Sequence, residues 1–583
     1  MPSPRPPTQT SEGRERRRRP VGVKCRYFAL ASRGQQNLID AIALAWLASA
    51  VWFWQWWIDA EHVVTPLGTI VNSAVLAFEF LLLPAWFIAF ARRARRPNRR
   101  GGVPALRSAM VVTKAPSEPW PVARRTLEAM LAQDAGVAYD VWLADEQPTA
   151  EARQWCADQG VEISTRLGVR EYHRSEWPRR TRCKEGNLAY FYDHFGYRRY
   201  DVVCQFDADH VPEPAYLRCV LKAFEDRRVG YVAAPSICDA NAVRSWSARG
   251  RLYLEATLHG VAQAGANGVW APCCIGSHYA VRTQALQEAG GLGPELAEDF
   301  STSLLLQAAG WRGAFAIDAI ARGDGPETIG DAVTQDLQWS QSMMSLLLGH
   351  AGPALSRAAP PAQLKLAFCL AWYPLGALSL LAAHLVPIVA LITGRPIVAV
   401  DLGAFAAHLA PCVATMIALV WVLRRAGWLR PVNAPVVSWE ATLFALVRWP
   451  WTLVGCLRAV WIRCTGHVVD WKVTPKGDRG AAPLPARILA PPLLIAAASA
   501  APMLLVDPGA ARGYLFWALV NALLYFGVAV ALLILHAVEQ HDGARAPVQR
   551  LRLLRGPVLA AAVAACVIAP GVAVGAERAV QAL

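Results

Sequence analysis

Asp201-Val202-Val203-Cys204-Gln205-Phe206-Asp207-Ala208-Asp209-His210 is an apolar run that stops on two carboxylates. A short β-branched and aromatic stretch without internal Gly or Pro suits a strand buried on both faces. Three other runs share its character: Ala109-Met110-Val111-Val112-Thr113, Tyr139-Asp140-Val141-Trp142-Leu143-Ala144 and Val229-Gly230-Tyr231-Val232-Ala233-Ala234. Helical patterns at 120–133 and 185–195 lie between them. This alternation predicts a parallel sheet with helices on both faces, within a mixed, charged segment 104–350. In such sheets ligands sit at the carboxyl ends of the strands, here Asp145, Asp207 and Pro235.

The flanks are different. Of 583 residues, 54% are hydrophobic and 17% charged, against about 25% charged in soluble proteins. That excludes a disordered chain and argues against a soluble enzyme. Apolar stretches at 38–57 and 67–90 precede the mixed segment, and 366–392, 403–423, 484–506, 513–536 and 556–577 follow it. Each approaches the ~20 residues that cross a ~30 Å hydrocarbon core, so seven spans are expected. Glu79 inside the second span pairs within the bundle or lines a polar path. Segment 424–483 reads as too polar to span. Its Arg424, Arg425, Arg430, Arg448, Arg458, Arg463, Lys472 and Lys476, interleaved with Trp and Leu, predict amphipathic helices in the inner interface at 424–465.

Charge placement gives an orientation. The formal charge of +14 comes from 58 Lys and Arg against 44 Asp and Glu. Arg14 to Arg26 and Arg92 to Arg100 crowd the outer flanks of the first two spans, while the link between them carries Asp59, Glu61 and His62. The positive-inside rule places both flanks, and therefore 104–350, in the cytoplasm of a multi-pass protein. Residues 1–37 read as a disordered basic tail, the Arg-rich loop 538–555 as cytoplasmic, and the carboxyl end as external. No second soluble domain is expected after the last span. Basic residues lie beside spans rather than as a stripe on the mixed segment, which argues against nucleic acid. The 13 Cys include no CxxC pair and read as reduced thiols.

Asp207 and Asp209, two residues apart at a strand end, suit one carboxylate toward a hard divalent ion and one toward a nucleotide. Alone, such a pair is equally a solvated acidic turn. It is accompanied in order by Asp145-Glu146, Lys184-Glu185-Gly186-Asn187, Glu298-Asp299 after a Gly-rich turn, and Gln335-Asp336-Leu337-Gln338-Trp339. Thirty-five residues, 300–334, separate Asp299 from Gln335.

That series resembles the processive family 2 glycosyltransferases of GT-A fold, and within them bacterial cellulose synthase catalytic subunits, over roughly 38–540. Asp207 to Pro212 is similar to the family's DxD form, and the 35-residue gap precedes its Gln-x-x-Arg-Trp motif. Trp471-Lys472-Val473-Thr474-Pro475-Lys476-Gly477 resembles its gating loop, at 470–477. The resemblance implies an α/β GT-A (Rossmann-like) cytoplasmic domain inserted in a helical transmembrane bundle, with a channel region at 351–577, in a bacterial inner membrane. It implies that Ser117, Glu118, Asp145, Lys184 and Asp207 bind the UDP-sugar. Asp207 and Asp209 would hold Mg²⁺ or Mn²⁺, and Thr474 and Lys476 would close over the donor. Asp299 would be the general base. Gly276, Ser277, Glu298, Gln335, Gln338 and Trp339 would form the acceptor side, with Trp339 stacking on the terminal sugar. The implied partners are UDP-glucose, the growing polysaccharide, the bilayer and a periplasmic or accessory export subunit.

Three departures stand out. Gln338 replaces the motif Arg, so a donor-side charge is missing; Arg322, Arg312 and Lys476 are candidates to supply it. Ala297 replaces a Thr before Glu298-Asp299, and Trp471 replaces a Phe. No PilZ-like cyclic-di-GMP domain is expected. The alternatives are a chitin, hyaluronan, curdlan-like or mixed-linkage glucan synthase, or a non-catalytic scaffold or channel derived from a synthase.

Overall fold

A computed structural model describes residues 27–98, 102–181, 183–294, 297–466, 484–539 and 547–582, with the backbone alone for 547–555 and 581–582. The tail before residue 27, and the loop containing Trp471, Thr474 and Lys476, lie outside the described residues.

Seven strands build the central sheet: β1 Ser108–Lys114, β2 Tyr139–Asp145, β3 Glu162–Ser164, β4 Val202–Asp207, β5 Val229–Ala233, β6 His278–Arg282 and β7 Arg312–Phe315. Their spatial order is β7-β5-β6-β4-β1-β2-β3. The side-chain period of two gives the sheet two buried faces. Met110, Val112, Leu143 and Phe206 pack on one, and Val111, Trp142, Tyr231 and Tyr279 on the other. β1 runs parallel to both β2 and β4, with Lys114 opposite Asp145 and Thr113 opposite Asp207. That register delivers the two carboxylates to one edge of the sheet.

The sheet is mixed rather than all parallel. β6 lies between β4 and β5 and is antiparallel to both. After β5 the chain makes no crossover back to the amino edge. It detours through helical segments between 246 and 266, and Gly260 and Gly265 there fit closely against the backbone of Trp428 and Phe90. It then re-enters the sheet from the carboxyl edge, so β6 has to run backwards. The consequence is functional: Gly276-Ser277, at the entry to β6, arrives beside Asp207.

Among the described residues, eight helices are long and apolar enough to cross a membrane: α1 Arg33–Trp57, α2 Pro66–Arg92, α8 Pro360–Thr393, α9 Leu402–Arg425, α10 Trp439–Thr465, α11 Ala486–Leu505, α12 Tyr514–Glu539 and Gly556–Val580 within α13 Pro547–Ala582. This is a multi-pass membrane protein with an α/β domain between its second and third apolar helices. Seven of the eight coincide with the expected spans. The addition is α10, whose run of Trp, Leu and Val is more apolar than the whole of 424–483. Helices α3 Trp120–Leu131, α4 Lys184–Phe191, α5 Trp246–Leu254, α6 Glu298–Ala308 and α7 Ile329–Gly349 belong to the α/β domain. α10 packs along α7 and α5. A Cβ on Gly455 of α10 would lie 2.1 Å from Ser340 Oγ and 2.5 Å from the Leu337 carbonyl. Only glycine lets these two helices approach so closely.

Candidate active site

Asp207 ends β4 half-buried. Lys184, the first residue of α4, donates from Nζ to Asp207 Oδ1 at 2.8 Å and to the Gly276 carbonyl at 2.7 Å, and stands 4.0 Å from Glu298 Oε1. The Asp207 amide donates to the Ser277 carbonyl at 2.8 Å. Gly276 lies directly against Asp299. Three of the five separate motifs thus converge on one spot, together with the Gly276-Ser277 turn. Burial opposes the Lys184 charge, but Asp207 and Glu298 outweigh it and hold the ammonium above its ordinary range.

The rest of Lys184-Glu185-Gly186-Asn187 explains why Lys184 is so placed. Glu185 accepts from the Arg179 and Arg180 amides at 2.9 Å each. Asn187 donates to the Ala144 carbonyl at 2.9 Å, tying α4 to the end of β2. Gly186 leaves room for the fully buried Arg166, whose guanidinium would lie 2.1 Å from an added Cβ. Arg166 in turn pairs with Glu146 and donates to the Tyr172 and Arg180 carbonyls at 2.7 and 2.8 Å.

Glu298 and Asp299 open α6. Burial pushes Glu298 up to about 8; Lys184 opposes this, and the neighbouring Asp299 and Asp207 add to it. The Glu298 carboxyl also accepts from the Tyr279 hydroxyl at 3.2 Å. Burial likewise raises Asp299. Ser277 Oγ and Glu298 Oε1 are buried with no hydrogen-bond partner among the described residues, an arrangement that favours a polar ligand.

Asp209 is buried, accepts from the Asp324 amide at 3.3 Å, and faces His210 Nδ1 at 3.3 Å. Burial opposes a charge on His210, yet the Asp209 carboxylate overcomes it and pushes the imidazole up to about 10. Donor atoms of Asp207, Asp209 and His210 lie within 4.8 Å of one another. Two carboxylates this close together fit a hard divalent ion that completes its shell with phosphate oxygens and water. His210 is engaged by Asp209 and by Ser236 at 3.2 Å, and so orients that carboxylate.

Other expected residues sit further out. Asp145 is fully buried and pairs with Lys114 at 3.2 Å. Glu118 is buried and accepts from the Ala115 amide at 2.8 Å, while Ser117 is exposed on the same turn. Gln335, Gln338 and Trp339 share one face of α7, at positions three and four residues apart. Arg251 of α5 reaches that face: it donates to Gln335 Oε1 at 3.0 Å and stacks over Trp339 at 4.5 Å from the ring centroid. Asp336 pairs with Arg448 of α10 at 2.9 Å; burial pushes it up to about 6 although Arg448 and Arg251 both favour its charge. Of the expected stand-ins for the missing Arg, Arg322 is held by Glu213 and Asp239. Arg312 pairs opposite Val229 at the start of β5, on the far edge of the sheet. Lys476 lies outside the described residues. Lys114, Arg166 and Arg251 were not expected. The only local sign of Arg251 is its four-residue spacing to Glu255 and then His259.

Residues 202–464 match the family model "Glycosyl transferase family group 2". The chain is 29% identical over 239 residues to the "Cellulose synthase catalytic subunit [UDP-forming]" of Xanthomonas axonopodis pv. citri (strain 306), covering 40% of this chain and 30% of that protein. It is 30% identical over 175 residues to "Cellulose synthase 1" of Komagataeibacter xylinus, covering 29% of this chain and 11% of that protein. The matches thus span less than a third of either relative. Among solved structures, the mannosyltransferase PcManGT from Pyrobaculum calidifontis, in complex with GDP-Man and Mn²⁺, overlays with a TM-score of 0.42 at 14% identity, covering 67% of this chain and 98% of that one. The family 2 glycosyltransferase match takes in Asp207, Asp209, Glu298-Asp299 and Gln335 to Trp339, and over part of its length the chain is similar to bacterial cellulose synthase catalytic subunits.

Proposed function

We propose that the chain is a membrane-embedded, processive, inverting glycosyltransferase. It builds a cellulose-like β-glucan from UDP-glucose on the cytoplasmic side of a bacterial inner membrane and passes it across. The observation that carries this is the meeting of Lys184, Asp207, Gly276 and Glu298-Asp299 at the carboxyl edge of the sheet, with α7 linking that edge to the apolar helices. Ala297 donates from its amide to Ser342 of α7 at 2.9 Å, which ties the proposed base to the acceptor helix.

In this reading Asp207 and Asp209 hold Mg²⁺ or Mn²⁺, which when bound supplies positive charge to the departing diphosphate. Lys184 adds a fixed cation beside it. Asp145 with Lys114 forms the floor of the uridine end, next to Ser117 and Glu118, and Thr474 and Lys476 close over the donor. Asp299 takes the proton of the acceptor hydroxyl. Burial raises its basicity, which moves it toward the pH at which a general base is effective. Ser277 and Glu298 offer hydrogen bonds to sugar hydroxyls, and Gln335, Gln338 and Trp339 seat the chain end. α10, together with the rest of 424–465, lies in the inner interface against α7, and the other seven apolar helices cross. The growing polysaccharide and an export subunit are the partners.

The test is UDP release by the purified protein in nanodiscs, offered each common UDP-sugar with Mn²⁺. Turnover with UDP-glucose alone supports the reading. Turnover with UDP-N-acetylglucosamine or UDP-glucuronate reassigns the polymer, and release of no UDP from any donor rejects catalysis.

A further inference from the structure

Arg251 is a guanidinium with 13% of its side chain exposed, inside a domain where such a charge is costly unless fully engaged. Its contacts fall on two sides. Toward α7 it holds Gln335 and covers Trp339. Toward its own helix, Nε donates to Glu255 at 3.3 Å. From Glu255 the polar contacts continue without a break. His259 Nε2 meets Glu255 Oε2 at 3.2 Å, and the Ser236 amide donates to His259 Nδ1 at 3.4 Å. Those two contacts place the ring proton of a neutral His259 on Nε2, toward the carboxylate. Ser236 Oγ meets His210 Nε2 at 3.2 Å, and His210 Nδ1 meets Asp209 at 3.3 Å. One chain, half-buried at Gln335–Arg251–Glu255 and buried at His259–Ser236–His210–Asp209, thus links the acceptor face of α7 to the acidic strand end.

We propose that Arg251 is a positioning residue that fixes Gln335 and Trp339 relative to the Asp207–Asp209 site, and that Arg251 occupies the cationic place which a side chain at position 338 would otherwise reach. Position 338 stands on the α7 face that Arg251 covers, between the two residues it contacts. Arg448, paired with Asp336, already stands close enough to feel the Arg251 charge, and a further guanidinium at position 338 would add to that repulsion. The proposal rests on the transferase reading, in which Gln335 and Trp339 seat the acceptor.

The test uses the full chain in nanodiscs and the variants Arg251→Lys, Arg251→Gln, Gln338→Arg and the double Arg251→Gln/Gln338→Arg. UDP binding in Mn²⁺, donor KM and kcat are measured for each. Loss of positioning without loss of the donor site lowers kcat by about tenfold or more in Arg251→Gln, with UDP affinity held within about twofold. Lysine keeps a charge for Glu255 but not the planar stack, so Arg251→Lys falls in between. Gln338→Arg alone impairs kcat, and in the Arg251→Gln background it recovers about threefold or more. If Arg251→Gln does not fold, Arg251→Lys decides: a kcat loss at constant UDP affinity supports the proposal, and wild-type kcat overturns it. A wild-type protein that binds no UDP and transfers no sugar overturns the transferase reading and this proposal with it. A wild type that transfers overturns the proposal alone if its Arg251 variants keep full kcat, lose UDP binding in parallel with kcat, or are not rescued by Gln338→Arg.

Discussion

Gly276→Ala adds one methyl group beside the proposed base. The new Cβ would sit 3.2 Å from Asp299 Oδ2 and 3.5 Å from its Cγ, so the carboxylate has to give by a few tenths of an ångström. A misplacement of about 1 Å costs a reacting group roughly a hundredfold. A shift of ~0.3 Å scales to about fourfold in kcat. The backbone at 276 is not in the left-handed region, and replacing Gly by Ala at a compatible site stabilises by about 0.4–1 kcal/mol through the unfolded chain. Stability is therefore expected to hold while kcat falls. Gly276→Val pushes two further carbons toward the carboxylate and is expected to cost about a hundredfold or more. The assay is UDP release at saturating donor, with UDP affinity and Tm measured alongside. Unchanged kcat in both variants would refute the placement of Asp299 at the reacting centre. A parallel loss of UDP affinity would show that Gly276 serves the donor instead.

Asp207→Asn and Asp209→Asn are each expected to abolish transfer with the protein still inserted, and full turnover of the wild type in EDTA would contradict the metal assignment. Asp299→Asn should retain UDP binding within about twofold while kcat falls by about a thousandfold, because proton acceptance is lost and the donor site is not. Glu298, pushed from an ordinary 4.5 up to about 8, keeps a proton in the folded protein that the unfolded chain has already lost. Folded-state stability from this group therefore declines as pH rises from about 4.5 to 8. In EDTA, Tm of the wild type should fall over that window relative to Glu298→Gln; parallel curves would place Glu298 in the ordinary range. Reporters fused at residues 62 and 150 should read on opposite sides of the membrane, and the same side for both would break the orientation.

What the sequence made legible was local. Strands at 109–113, 139–144, 201–206 and 229–234 announce themselves because each is a continuous apolar run. Strand β6 does not: His278-Tyr279-Ala280-Val281-Arg282 is short, polar at both ends and preceded by no crossover helix, so its reversed direction is set by a detour over the apolar helices. The acidic and lysine motifs were readable because each has a fixed internal spacing. Arg251 meets Gln335 across 84 residues and Lys114 meets Asp145 across 31; such partners are made by packing and leave no periodic trace. α10 shows a related limit. Averaged with its polar neighbours it reads as interfacial, whereas taken alone it is apolar enough to span.

The central claim is that one site makes polymer from UDP-glucose and delivers it across the membrane. Inverted membrane vesicles carrying the protein, given radiolabelled UDP-glucose and Mn²⁺, measure both together. The predicted result is a high-molecular-weight, cellulase-sensitive product that accumulates inside the vesicles and is absent with Asp299→Asn. Labelled polymer that stays wholly outside, or label that appears equally with Asp299→Asn, would contradict it.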